Sequence, residues 1–150
     1  MSRPRKGNRD SLYYYKWLDK ALGDLKCAQI LMTWGGDHCN IAFHCQQTIE
    51  KALKGFLLFR SGKHYDGHSL TFLCRQANNL DPQFAEWLDE SVALNNLYIE
   101  TRYPTDLPLD ITDYEVRRYL TMAENMFAAI RRELYNSGEA HEIRGKRPVY

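Results

Sequence analysis

A chain of 150 residues, 44% apolar and 26% charged, is about one domain long and can bury roughly two thirds of its unfolded surface, so it needs no disulfide or metal staple to fold. Its formal charge of +1 hides an asymmetry: Arg3, Arg5, Lys6 and Arg9 load one end and Arg144, Lys146 and Arg147 the other, leaving the body net negative. A negative body argues against a general nucleic-acid clamp, because phosphate binding needs a positive surface whose counterion release drives affinity; the basic tails alone could touch a polyanion.

Residues 1–10 read as a basic flexible tail, 11–136 as a helical domain and 137–150 as a second basic flexible tail. From Leu12, helical spacing places Trp17, Ala21, Leu25, Ala28 and Leu31 or Met32 on one stripe until Gly35 and Gly36 stop it. A second helix is predicted from about Cys39 to Arg60, closed by Ser61 and Gly62, with Ile49, Ala52, Leu53, Phe56 and Leu57 facing a core. Leu70, Leu73 and Ala77 mark a short third helix over Ser69 to Asn78, with His68 near its start. Asp81 and Pro82 open a fourth that runs through Phe84, Trp87 or Leu88, Ala93 or Leu94 and Leu97 to about Thr101, after which Pro104 and Pro108 forbid continuation. Thr112 with Glu115 is a capping box for a fifth helix whose stripe is Val116, Tyr119 or Leu120, Ala123, Phe127, Ile130 and Leu134. No segment alternates as a strand pair would, so the expected fold is all-α, an up-and-down bundle of four to five antiparallel helices.

Cys27, Cys39, Cys45 and Cys74 have no paired-ligand spacing, and Cys27 and Cys45 fall where helices should pack, so they read as small buried apolar groups in a reducing, cytoplasmic setting. His38, Cys39, His44 and Cys45 point in different directions on a helix and are not expected to hold zinc; no metal or other cofactor is expected. No apolar h-region precedes Leu12 and no apolar run approaches the length of a membrane span.

The second helix carries more polar chemistry than packing requires. At 3.6 residues per turn Gln47, Glu50 and Lys54 stack one above another with Lys51 beside them, although Glu50 and Lys54 also make an ordinary helical ion pair. Further polar signals are His68, which by itself could simply cap the third helix, and Tyr98, Arg102 and Tyr103 at the end of the fourth. Arg102 offers a planar fork for two phosphate or carboxylate oxygens, Lys51 and Lys54 compact positive charge, and Tyr98 or Tyr103 a ring on which a base can stack; Arg102 could instead cap the fourth helix or pair with Glu50 inside the bundle.

The segments FHCQQTIEKALKGFL, GHSLTFLC and LYIETRYP, in that order, resemble the HEPN family over roughly Leu12 to Leu134. That resemblance implies a helical bundle that commonly pairs as a two-fold homodimer, with a polar nucleotide-associated cleft near the pairing surface and often a nucleotidyltransferase partner protein. It carries over to Gln47, Glu50, Lys51, Lys54, His68, Tyr98, Arg102 and Tyr103. Many members are ribonucleases with an Arg followed, after four to six residues, by a His. This chain departs from that pattern, since Leu107, Pro108 and Leu109 stand where a His would follow Arg102. The leading reading is therefore a non-enzymatic, cytoplasmic module that binds a nucleotide or small anion. The alternatives are a ribonuclease or toxin component with a non-standard catalytic set, and a structural adaptor.

Overall fold

The computed structural model describes residues 13–102 and 111–135, apart from the side chains of 97–102. Within them the chain forms α1 (Tyr14–Thr33), α2 (His38–Ser61), α3 (Leu70–Leu80), a 3-10 turn (Pro82–Trp87) that continues into α4 (Leu88–Arg102), and α5 (Asp113–Tyr135). No strand occurs among the described residues, and the protein is the all-α bundle that its periodicity predicts. The two expected tails lie outside the described residues.

Each boundary has a local cause. The Asp37 carboxylate accepts from the Asn40 amide at 3.1 Å and starts α2, and Gly62, at φ +72°, ends it by turning the chain into the left-handed region where a side chain would be strained. Thr112 and Glu115 make the reciprocal capping box at α5: the Glu115 amide donates to Thr112 Oγ1 and the Thr112 amide to Glu115 Oε1, each at 3.0 Å. Asp81 caps as expected, accepting from the Gln83 amide, but the segment it opens is first a 3-10 turn. Phe84 and Trp87, three apart, are both buried there, and in the tighter helix i and i+3 residues lie directly above one another.

Helix α2 is the hub. Fourteen of its residues are buried, from Ile41 to Leu58, and α1, α3, α4 and α5 all pack on it. Its predicted core face, Ile49, Ala52, Leu53, Phe56 and Leu57, is fully enclosed. Helix α1 comes close at Gly55, where a Cβ would stand 3.1 Å from the Tyr14 carbonyl oxygen and from Trp17 Cβ. Since Tyr14 meets Gly55 while Asp24 meets His44 and Lys51, α1 runs antiparallel to α2. By contrast α2 and α5 run the same way. Their starts are joined by His38, whose Nδ1 donates to the Ile111 carbonyl at 2.7 Å, and their ends by Arg60 and Glu133 at 3.7 Å.

One packing expectation fails. Cys45 is buried but Cys27 is exposed, because residue 27 falls on the outer stripe of α1 with Gly23 and Ile30 rather than on the inner stripe with Ala21, Leu25 and Ala28. Burial, followed by the nearby Glu124 charge, pushes the Cys45 thiol up to about 12, and burial also raises Cys74. At neutral pH Cys45 is therefore held as the thiol rather than the reactive thiolate. An alkylating reagent at pH 7 should leave Cys45 and Cys74 unmodified until denaturant unfolds the chain, as mass spectrometry of digested protein would show; labelling of either in the native state would contradict this packing.

Candidate functional site

Glu50 sits in the middle of α2 with only 4% of its surface exposed, and its carboxylate is the centre of a polar cluster. Oε1 accepts from Gln46 Nε2 at 3.1 Å and from Gln47 Nε2 at 3.5 Å; Oε2 accepts from Lys54 Nζ at 3.0 Å and from His68 Nδ1 at 2.9 Å. Gln47 also donates to Gln46 Oε1 at 2.7 Å, and Lys54 Nζ lies 5.5 Å from the centre of the Trp17 ring. The cluster reaches solvent through His68, whose side chain is 58% exposed. A second group follows along the same seam, where Asp24 of α1 accepts from Lys51 Nζ at 2.6 Å and from His44 Nδ1 at 2.9 Å.

The position of His68 follows from the path of the chain. Glu50 lies eleven residues before Ser61, roughly 16 Å back along the helix axis, so the loop after Ser61 must retrace α2 to reach it. Gly67, at φ +92°, makes the turn that ends this return. Helix α3 is then fixed at its first peptide: Asn95 Oδ1 of α4 accepts from the Leu70 amide at 2.7 Å, and Ser69 caps by accepting from the Phe72 amide at 3.2 Å. His68 is thus not the cap of α3, contrary to the simpler expectation. Ser69 and Asn95 take the amides, and the imidazole turns to Glu50.

Of the residues singled out in the sequence, Gln47, Glu50, Lys54 and His68 come together, while Lys51 joins the Asp24 group one turn away. Tyr98 and Arg102 are in α4, but their side chains, and all of Tyr103, lie outside the described residues. The lysines are not a bare cationic pair, since each faces a carboxylate within 3.0 Å. Sequence reasoning missed Gln46, Trp17, Asp24 and Asn95. Gln46 was within reach of it, because it precedes Glu50 by one helical turn; the other three meet the site only through tertiary packing.

Two chemical properties follow. A carboxylate only accepts hydrogen bonds from these partners, so the Nδ1 of His68 carries the hydrogen and the neutral ring has its lone pair on Nε2. A buried ion pair also stabilises little relative to apolar packing, and a fold has no need of one in its central helix. Among the described residues no three His, Cys, Asp or Glu side chains are placed to hold a metal ion, and no helix is long and apolar enough to cross a membrane.

A surface groove of about 380 Å3 lies elsewhere, between the 3-10 turn and α5, with Glu86, Trp87, Glu90, Tyr114, Arg117 and Arg118 among its walls. Its arginines are engaged: Arg118 donates to Glu90 at 3.3 Å and Arg117 to Asp113 at 2.6 Å.

The model of the HEPN domain matches residues 14–133, which reaches into every helix and takes in the whole Glu50 cluster. The chain belongs to the HEPN family. The crystal structure of TT1696 from Thermus thermophilus is similar to this HEPN chain at 29% identity and a TM-score of 0.70, over 81% of this chain and 98% of that one. No curated protein matches it. The HEPN match spans α2, the retracing loop and α4 together.

Proposed function

We propose that this HEPN domain is a nucleotide- or small-anion-binding module that works as a homodimer, with a nucleotidyltransferase as its partner protein. The observation that supports this reading is the buried Glu50 carboxylate with its four donors, opening to solvent at His68. Such a cluster costs desolvation and is kept where it orients a group for a ligand. With Lys51 and Lys54 already facing carboxylates, the ligand is held by the His68 rim and by the fork of Arg102, and Tyr98 or Tyr103 stacks on its base.

The expected result is a rise in thermal stability on adding ATP or another nucleotide, about 2.7 kcal/mol at a hundredfold excess over Kd, and its loss in His68→Ala and Arg102→Ala. A full panel of nucleotides and inorganic phosphate that leaves the melting temperature unchanged would sink the reading. A ribonuclease is the second reading, favoured by one feature: an imidazole held at Nδ1 by a buried carboxylate presents Nε2 as a base. Cleavage of RNA by the purified protein, abolished by His68→Ala or Arg102→Ala, would establish it. With neither a nucleotide response nor cleavage, the domain acts as a structural adaptor.

A further inference from the structure

We propose that the groove between the 3-10 turn and α5 is a second ligand site, which takes a small zwitterion with an apolar side: an α-amino acid with a large apolar side chain. The groove shares no residue with the Glu50 cluster, and the inference does not depend on the reading given above.

Sequence spacing builds its two walls. On α5, Tyr114, Arg118, Thr121 and Asn125 recur at intervals of four, three and four, so they form one row along a flank of the helix. On the facing wall Glu86 and Glu90 are four apart, at the junction of the 3-10 turn and α4. Trp87 and Met122 line the groove as well, yet both are buried, so they form its floor. Tyr114 is 71% exposed and stands at the rim.

Charge is divided between the walls. Both ionised side chains on the 3-10 and α4 side are carboxylates, and both on the α5 side are guanidinium groups. Their pairing is incomplete. Glu86 is exposed and has no hydrogen-bond or ion-pair partner among the described residues. Arg117 is held through Nε alone, by Asp113 Oδ2 at 2.6 Å, and Arg118 through one terminal nitrogen, by Glu90 Oε2 at 3.3 Å. A guanidinium carries five N–H donors, so each arginine has donors to spare. The Arg118–Glu90 bridge is partly exposed and made by a single bond, the kind that contributes little to stability, and it opens at small cost.

These features select a ligand with two opposite charges. A carboxylate fits the spare fork of an arginine on the α5 wall, where two parallel N–H bonds can hold it. An ammonium group fits the unpartnered Glu86 carboxylate opposite. A ligand with only one of the charges leaves the other wall unmatched, and the phosphates of a nucleotide would be repelled by Glu86 and Glu90. An apolar side chain rests on Trp87 and Met122. The volume of about 380 Å3 is near the lower end for ligand pockets, which run from about 300 to 1,000 Å3, and suits an occupant of this size.

The chain has three tryptophans, Trp17, Trp34 and Trp87, of which only Trp87 lines the groove, so the indole N–H signals in an NMR spectrum of the full chain report where a ligand sits. The probes are L-phenylalanine, L-leucine and L-methionine. At least one should shift the Trp87 signal saturably, with Kd below about 1 mM, and leave those of Trp17 and Trp34 unmoved. The amide of that amino acid, which lacks the carboxylate, and its deaminated acid, which lacks the ammonium group, should each bind about tenfold more weakly or worse. Glu86→Gln, and Arg117→Gln combined with Arg118→Gln, should weaken binding by a similar factor. Thr121→Trp fills the groove from an exposed position and should abolish binding while the helical content is kept. A Trp87 signal unmoved by all three probes at about 5 mM overturns the site. So does a shift at Trp17 in its place, or an amide or deaminated acid that binds as tightly as the amino acid. None of these outcomes touches the nucleotide reading, which stands or falls by its own thermal shift.

Discussion

Glu50→Ala should cost the domain about 3 to 5 kcal/mol, a fall in melting temperature of roughly 10 °C or more. The size follows from what is left behind. Lys54, whose side chain is only 9% exposed, would lose the carboxylate 3.0 Å away, and Gln46, wholly buried, would lose an acceptor. Replacing both partners, as Glu50→Leu with Lys54→Met, should recover most of that loss, because apolar side chains of similar volume remove the desolvation cost along with the attraction. The double variant separates fold from function: it should stay folded yet no longer respond to a nucleotide, since His68 has lost the group that orients it. A single variant that loses less than about 1 kcal/mol would mean the pair behaves as a solvated surface bridge.

Phe56→Ala is expected to be as damaging, about 3 to 5 kcal/mol in denaturant unfolding, through a different cause. Phe56 is fully buried in α2 with its ring 4.8 Å from that of Phe84, so truncation opens a cavity beneath the 3-10 turn that leads into α4. Combining it with Phe84→Ala should show a coupling of about 0.5 to 1.5 kcal/mol between the rings. Strict additivity would mean that the two do not meet as described.

Much of this was legible in the residues before any coordinates. The Gly62 stop and the Thr112–Glu115 box depend on groups within a few positions of each other, and a local pattern can report a local bond. So can the stacking of Gln47, Glu50 and Lys54, one turn apart on a single rod. What the pattern could not report is depth. Spacing gives the direction of a side chain around its own helix but not what covers it, so a pair that reads as solvated lies buried beneath Trp17 and the retracing loop. Cys27 fails for the same reason in reverse: a stripe of small and apolar residues looks alike whether it meets the core or the outside. His68 as a cap was the natural local reading, displaced by Asn95, twenty-five positions from the amide it holds.

The parallel pairing of α2 and α5 imposes an order on how this molecule is made. The described partners of Glu50 all come from residues no later than 68, so that centre can assemble soon after the first half of the chain leaves the ribosome. The opposite flank of α2 stays open to water until the contacts from Ile111 to Glu133 arrive, and closing it joins segments some seventy positions apart. A nascent chain halted before α5 would hold a finished polar heart beside a bare greasy side, which is the surface a chaperone grips.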